Sequence, residues 1–193
     1  MTPHRRRYLV LLLASAVAGC GLGQLDNYGP LTVFDNFHPI VDGVAYRSAQ
    51  LDEQSLDLVF QQYGICTIIN LRGENPELPW YQNERAAAER AGVKLVNIRM
   101  SANALPSRDT LLLLFDTFQT AEYPILIHCE SGADRTGAAA AIWRMEIRGD
   151  SRAAAMTELS PVVGHFEAAH PLMDKLARIF QPDRTWIATE YPE

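Results

Sequence analysis

The stretch PILIHCESGADRTGAAAAIW, from Pro124 to Trp143, decides the fold. Its first part, PILIHC, is a short continuous apolar run, the pattern of a strand buried on both faces. Its last part is alanine-rich. There Ala138, Ala141, Ile142 and Met145 form so broad an apolar face that a helix at the centre of the domain is expected. Only a few residues separate the two elements. Strand, tight loop and helix in that order are the building unit of a parallel α/β sheet, whose ligands bind at the carboxyl ends of the strands.

Working outward, the same alternation repeats. VFDNFHPIVDGVAYRSAQ reads as short strands and turns, with Asp42-Gly43 as a turn signal. In LDEQSLDLVFQQYG, Leu56, Val59, Phe60 and Tyr63 share one helical face and Gly64 stops the helix. ICTIINL predicts a buried strand, RGENPELP a loop, and WYQNERAAAERAG a second helix ending at Gly92. VKLVNIRM predicts a second buried strand, SANALPS a loop, and RDTLLLLFDTFQTAEY a third helix leading into PILIHC. SRAAAMTEL and PLMDKLARIF predict two closing helices. The expected fold is α/β, a central and mostly parallel sheet flanked by helices, with right-handed crossovers.

The loop itself carries the chemistry. Five residues separate Cys129 from Arg135, and Gly132 permits a backbone turn that other residues resist. Curled this way, the backbone of Glu130, Ser131, Gly132 and Ala133 turns successive N–H groups inward, and the following helix aims its N-terminal dipole at the same point. A thiol at the base of such an anion cradle is expected to ionise. The planar fork of Arg135 can hold two phosphate oxygens. An activated thiolate facing a bound phosphate attacks phosphorus, and water then hydrolyses the thiophosphate.

HCESGADRTG resembles the H-C-x5-R-[ST] loop of the cysteine-dependent protein tyrosine and dual-specificity phosphatase superfamily. A looser similarity, through YRSAQ and GICTIINLRGENP, extends over roughly residues 33–180. The resemblance implies a protein tyrosine phosphatase-like fold of dual-specificity phosphatase size, with Cys129 as nucleophile and Arg135 as phosphate clamp. It further implies that Thr136 assists the second step and that His128 holds the loop and tunes the cysteine, although a satisfied core histidine explains His128 equally. A rhodanese-like sulfurtransferase and an inactive phosphate-binding module are the competing classes.

One part is missing from the pattern. Members of the superfamily usually carry an aspartate on the loop that here reads MSANALPS, and Asn103 stands about where the acid is expected. An amide does not donate a proton usefully near neutrality. Two carboxylates remain. Asp109 reads as the acidic first turn of a helix. Asp134, inside the loop, resembles the acid placed by myotubularin-like phosphatases in theirs, and is the expected proton donor. The bland alternative is that Asp134 only pairs with a neighbouring arginine.

The ends and the composition set the remaining expectations. The chain has 193 residues and a net charge of −6, which argues against nucleic acid as a partner. Residues 1–19 carry Arg5, Arg6 and Arg7, then an apolar run, the layout of an export signal. Val17-Ala18-Gly19-Cys20 resembles a bacterial lipobox, which makes Cys20 the lipidated residue, residues 20–32 a tether and residues 33–193 the phosphatase-like domain. The expected product is a monomer anchored by its acyl chains to a bacterial membrane and facing the periplasm. Cys66 reads as a buried, inert thiol, with a regulatory bridge to Cys129 as the alternative. His165, Glu167 and His170 lack the spacing of a helical zinc motif and read as surface residues. The proposed chemistry requires no metal or organic cofactor. An acidic loop without lysine favours a phosphorylated protein or small phosphomonoester over an inositol polyphosphate or phosphoinositide, although Arg72, Arg99 and Arg108 could add positive charge near the strand ends.

Overall fold

The computed structural model describes Leu31 and residues 33–192. The expected signal, Cys20 and nearly all of the tether lie outside those residues. A five-stranded sheet runs in the order β1-β2-β5-β3-β4, built from β1 (His38–Val41), β2 (Ala45–Ser48), β3 (Thr67–Asn70), β4 (Lys94–Asn97) and β5 (Ile125–His128). Only the β1–β2 hairpin is antiparallel; β2 with β5, β5 with β3, and β3 with β4 pair in parallel. The expected α/β class holds.

Strand β5 takes the central position because it is apolar on both faces. Ile125 and Ile127 face one helical layer, packed with α3 (Arg108–Thr120), α4 (Asp134–Glu146), α6 (Pro171–Ile179) and α7 (Arg184–Thr189). Leu126 faces the other, formed by α1 (Glu53–Tyr63) and α2 (Pro79–Ala91). Helix α4 is buried around nearly its whole circumference from Thr136 to Trp143, as the alanine run requires. Gly137 is needed there, because a Cβ would lie 2.8 Å from the Glu158 carbonyl oxygen.

Register fixes the place of the site. Ser48 of β2 and Asn70 of β3 both pair with His128 of β5, so three strands end level with one another. The segments that leave them, Ala49-Gln50, Leu71-Arg72 and the loop from Cys129 onward, therefore share one edge.

Several expectations change. Strand β4 is the sheet edge and is half-exposed, not buried, because no element covers its outer flank. SRAAAMTEL forms only a four-residue helix α5 (Arg152–Ala155) followed by a 3-10 turn at Met156–Glu158. Helix α7, absent from the sequence reading, docks on α3 through Trp186 and Ile187, and Asp183 caps its first turn. Cys66 is half-buried at the start of β3, whereas Cys129 follows the end of β5. Parallel pairing puts the two thiols at opposite ends of the sheet, and no bridge joins them.

Glu146 closes α4 in a costly position. Gln119 donates to its Oε1 at 2.9 Å, while Oε2 is buried without a partner. Burial, reinforced by the nearby Asp116, pushes its carboxyl up to about 8 from the ordinary 4.5. Between those values the native state holds a proton that the unfolded chain has lost, so this group's contribution falls as pH rises through that window. Glu146→Gln keeps the bond from Gln119 and removes the charge. It should be nearly neutral in urea unfolding at pH 5 and stabilising by about 1–3 kcal/mol at pH 8. Parallel pH profiles for the two proteins would contradict this.

Candidate active site

Cys129 leaves β5 almost fully buried, at the floor of a loop whose carbonyls all turn outward. Leu71 N–H donates to the His128 carbonyl at 2.9 Å, and Gln50 N–H to that of Glu130 at 3.0 Å. Asn36 Nδ2 donates to the Ser131 carbonyl at 2.9 Å. Arg47 donates to Gly132 at 2.7 Å and more weakly to Ala133 at 3.3 Å. A peptide whose carbonyl points out presents its N–H inward. Among the described residues, the backbone N–H groups of Glu130, Ser131, Gly132, Asp134 and Arg135 find no acceptor in the protein. Such a row of donors, closed by the start of α4, is an anion cradle.

Gly132 makes the curl possible. Its φ is +72°, and a Cβ there would meet the Ser48 carbonyl carbon at 2.5 Å. Both the torsion and the space exclude a side chain.

Arg47 is the principal brace behind the loop. Its side chain is 1% exposed and pairs with Glu158 Oε2 at 2.9 Å, while also donating to the Glu158 carbonyl at 2.7 Å. Desolvation draws its pKa down and Glu158 opposes that shift. Breaking such a buried pair by removing one partner costs about 3–5 kcal/mol.

His128 is held by a second network. Its Nε2 lies 2.9 Å from Oε1 of Glu84, which is itself buried, and Gln50 Nε2 donates to the same oxygen at 3.0 Å. Gln50 Oε1 accepts from Arg72, whose guanidinium lies 3.6 Å from the Trp80 ring centroid. Burial lowers the Arg72 pKa, while Glu130 and Cys129 act in the opposite sense. His128 is thus a core histidine at the strand-to-loop junction: its Nδ1 lies 3.2 Å from the Cys129 carbonyl oxygen, while Nε2 meets Glu84 as a close contact without a hydrogen bond.

Two groups inside the cradle await a partner. Arg135 is mostly buried, its Nε has no hydrogen bond, and its nearest carboxylate oxygen, on Glu130, stands 3.9 Å away. Thr136 Oγ1 is buried without a partner one residue later.

Asp134, the first residue of α4, faces two histidines. His165 Nδ1 lies 2.8 Å from its Oδ1, and His170 Nε2 lies 3.5 Å from its Oδ2. The arginine pairing considered for Asp134 is not formed. Nor is His165 a surface residue: it is 1% exposed, and its Nε2 lies 2.7 Å from Asp174. His170 is half-buried, and its Nδ1 lies 3.0 Å from Asn103 Oδ1. The amide that stands where an acid was expected therefore contacts a neighbour of Asp134.

A cleft of about 710 Å3 opens above the loop, lined by Glu130, Ser131, Asp134 and Arg135 on one side and by Arg99, Asn103 and His170 across from them. Among the described residues no Phe, Tyr or Trp lines it. Asp109 is exposed in the first turn of α3 and does not line the cleft, so the structure separates it from the other candidates. Arg108 turns away to the Tyr191 carbonyl. Glu167 is exposed and pairs with Arg178.

The sequence reading missed Asn36, Arg47, Gln50, Glu84, His165 and Asp174. Arg47 left one signal, a charge inside the buried strand segment AYRS, which demands a specific partner. The others leave none, because their partners are remote in the chain.

The chain is similar to known phosphatases in sequence and in fold. A family model described as DSP-PTPase phosphatase fused to NAD+ kinase matches residues 35–169. The dual specificity protein phosphatase TpbA of Pseudomonas aeruginosa is 30% identical over 116 residues, 59% of this chain and 49% of that protein. The chain thus spans about half the length of the curated relatives it matches. The crystal structure of P. aeruginosa TpbA superposes with a TM-score of 0.65 at 24% identity, covering 83% of this chain and 95% of that one. The core catalytic domain of the PP-IP phosphatase SIW14 from S. cerevisiae gives 0.65 at 22% identity, covering 82% and 91%. Both show the same fold.

The cradle's dependence on Gly132 is testable by anion binding. Gly132→Ala should weaken inorganic vanadate binding at least about tenfold and destabilise the fold by about 1–3 kcal/mol. Unchanged vanadate affinity in calorimetry would contradict the geometry.

Proposed function

The chain belongs to the DSP-PTPase phosphatase family, and from that premise we propose that it is a phosphomonoester hydrolase acting through a cysteinyl phosphate on Cys129. The observation that carries the reading is the inward row of unpartnered N–H groups around Cys129, with the free Nε of Arg135 beside it. These donors bind the non-bridging oxygens of a phosphoryl group and favour the charge that develops during transfer.

In the first step the Cys129 thiolate forms a sulfur–phosphorus bond as the phosphorus–oxygen bond of the ester breaks. The departing oxygen takes a proton from the Asp134 carboxyl. In the second step water attacks phosphorus, Asp134 accepts its proton, and phosphate and the thiolate are released. Thr136 Oγ1 is close in sequence and free to donate to the departing sulfur.

The relatives' names and the lysine-free loop support a phosphorylated protein as substrate, at tyrosine or at serine and threonine. A cleft lined by Arg99 and His170 and, among the described residues, by no Phe, Tyr or Trp favours a second reading, a polar polyol phosphate such as an inositol phosphate. Relative kcat/KM on phosphotyrosine peptide, phosphoserine peptide and inositol polyphosphate separates them.

Residues 1–19 act as the export signal in this reading, and Cys20 carries the lipid that tethers residues 33–193 to a bacterial membrane as a monomer facing the periplasm. The four-residue lipobox pattern supports it. Cys20→Ala should abolish incorporation of labelled palmitate in cells and release the protein from the membrane fraction. Retained label would rule the anchor out.

Cys129→Ser should eliminate hydrolysis of p-nitrophenyl phosphate while the protein still binds vanadate. Asp134→Ala should lower kcat/KM on phenyl phosphate by about 100-fold or more, yet change kcat/KM on dinitrophenyl phosphate by less than about threefold, since kcat/KM reports only phosphoenzyme formation and that leaving group needs no proton. Phosphate binding without turnover in the wild type would instead favour an inactive binding module.

A further inference from the structure

Asp134 is backed by a relay that the phosphatase reading does not require. His165 follows the 3-10 turn Pro161–Val163 and sits between two carboxylates, Asp134 Oδ1 at 2.8 Å and Asp174 Oδ2 at 2.7 Å. Histidine and Asp174 are almost fully buried, 1% and 3% exposed. Asp174 comes from the inward face of α6, and its other oxygen lies 3.8 Å from Arg178. Among the described residues, the only other titratable side chain paired with Asp134 is His170, on the Oδ2 side.

Counting protons constrains this unit. A neutral imidazole has one N–H and can donate to one carboxylate; its second nitrogen would then present a lone pair to a carboxylate oxygen. When Asp134 is ionised, both contacts are satisfied only if the ring carries N–H on both nitrogens. The two flanking carboxylates supply the compensation that a buried cation needs. Asp174 thereby orients the ring so that Nδ1–H points at Asp134 Oδ1. Oδ2 is left on the side of His170, where both residues line the cleft.

We propose that His165, oriented by Asp174, is a positioning residue that holds Asp134 by Oδ1, directs Oδ2 towards the leaving group and stabilises the carboxylate formed when the proton departs. The proposal rests on the reading of Asp134 as proton donor. The proton leaves Asp134 Oδ2 for the ester oxygen as the phosphorus–oxygen bond breaks. His165 keeps both its protons throughout, and the water of the second step returns the proton to Asp134. No other reactant is needed. A merely structural role, tying α4 to α6, is the competing explanation.

Leaving-group dependence of kcat/KM separates the two, because kcat/KM reports only phosphoenzyme formation, where Cys129 and Arg135 serve every substrate while the acid serves only poor leaving groups. His165→Leu removes the donor to Oδ1, whereas His165→Asn can present an amide N–H in about the place of Nδ1. His165→Leu should lower kcat/KM on phenyl phosphate by about 30-fold or more and leave kcat/KM on dinitrophenyl phosphate within about threefold, with vanadate affinity unchanged. His165→Asn should recover most of the loss, and Asp174→Asn should shift the two substrates in the same selective way. Equal losses on both substrates, or equal losses for the Leu and Asn variants, would mean a structural tie and overturn the proposal. If Asp134→Ala is selective and His165→Leu is not, only the relay falls. If Asp134→Ala is itself unselective, the relay falls together with the acid assignment beneath it.

Discussion

The outward fixing of the loop carbonyls after β5 is the constraint on which the site depends. A loop that short cannot turn its N–H groups to a common point unless each carbonyl finds a donor behind it. Those donors come from neighbouring segments: Leu71 beyond β3, Gln50 beyond β2, Arg47 within β2 and Asn36 before β1. Because β2, β3 and β5 end in register, all of them reach the same loop. Gly132 lets that loop press onto the Ser48–Ala49 backbone without a side chain between them. The sheet is in this sense the jig on which the cradle is bent.

Charge is arranged around the cradle in two tiers. Arg47 with Glu158, and His128 with Glu84, are buried pairs that stand behind the loop backbone. Arg135 is different: it is mostly buried but has only a distant carboxylate, the condition of a group whose partner is a ligand. Asp134 sits at the boundary between these tiers, bonded to buried His165 on one oxygen and facing the cleft near His170 on the other.

The sequence announced the part of this that is local. PILIHC, the five-residue gap from Cys129 to Arg135, and the alanine helix are adjacent in the chain, so one strand–loop–helix unit carries fold and cradle together. Helix α1 was legible through its apolar face, and α1 and α2 both through their glycine stops at Gly64 and Gly92. Strand β4 misled because apolar composition does not reveal which strand lies at an edge. His165 misled for a related reason. Its two carboxylate partners lie 31 residues before it and nine after it, on different helices, and no periodicity records that meeting. Arg47 was visible as a charge in a buried strand, but its ligands, Gly132 and Glu158, were not.

The central claim is that Cys129 becomes covalently phosphorylated during turnover. Rapid mixing of the protein with dinitrophenyl phosphate, followed by acid quench and peptide mass analysis, tests it most directly. The account predicts a burst of phenolate approaching one equivalent per protein, with the quenched phosphoryl group on the peptide containing Cys129 and absent from Cys129→Ser. Turnover with no phosphorylated peptide, or with the label on another residue such as His128, would contradict it.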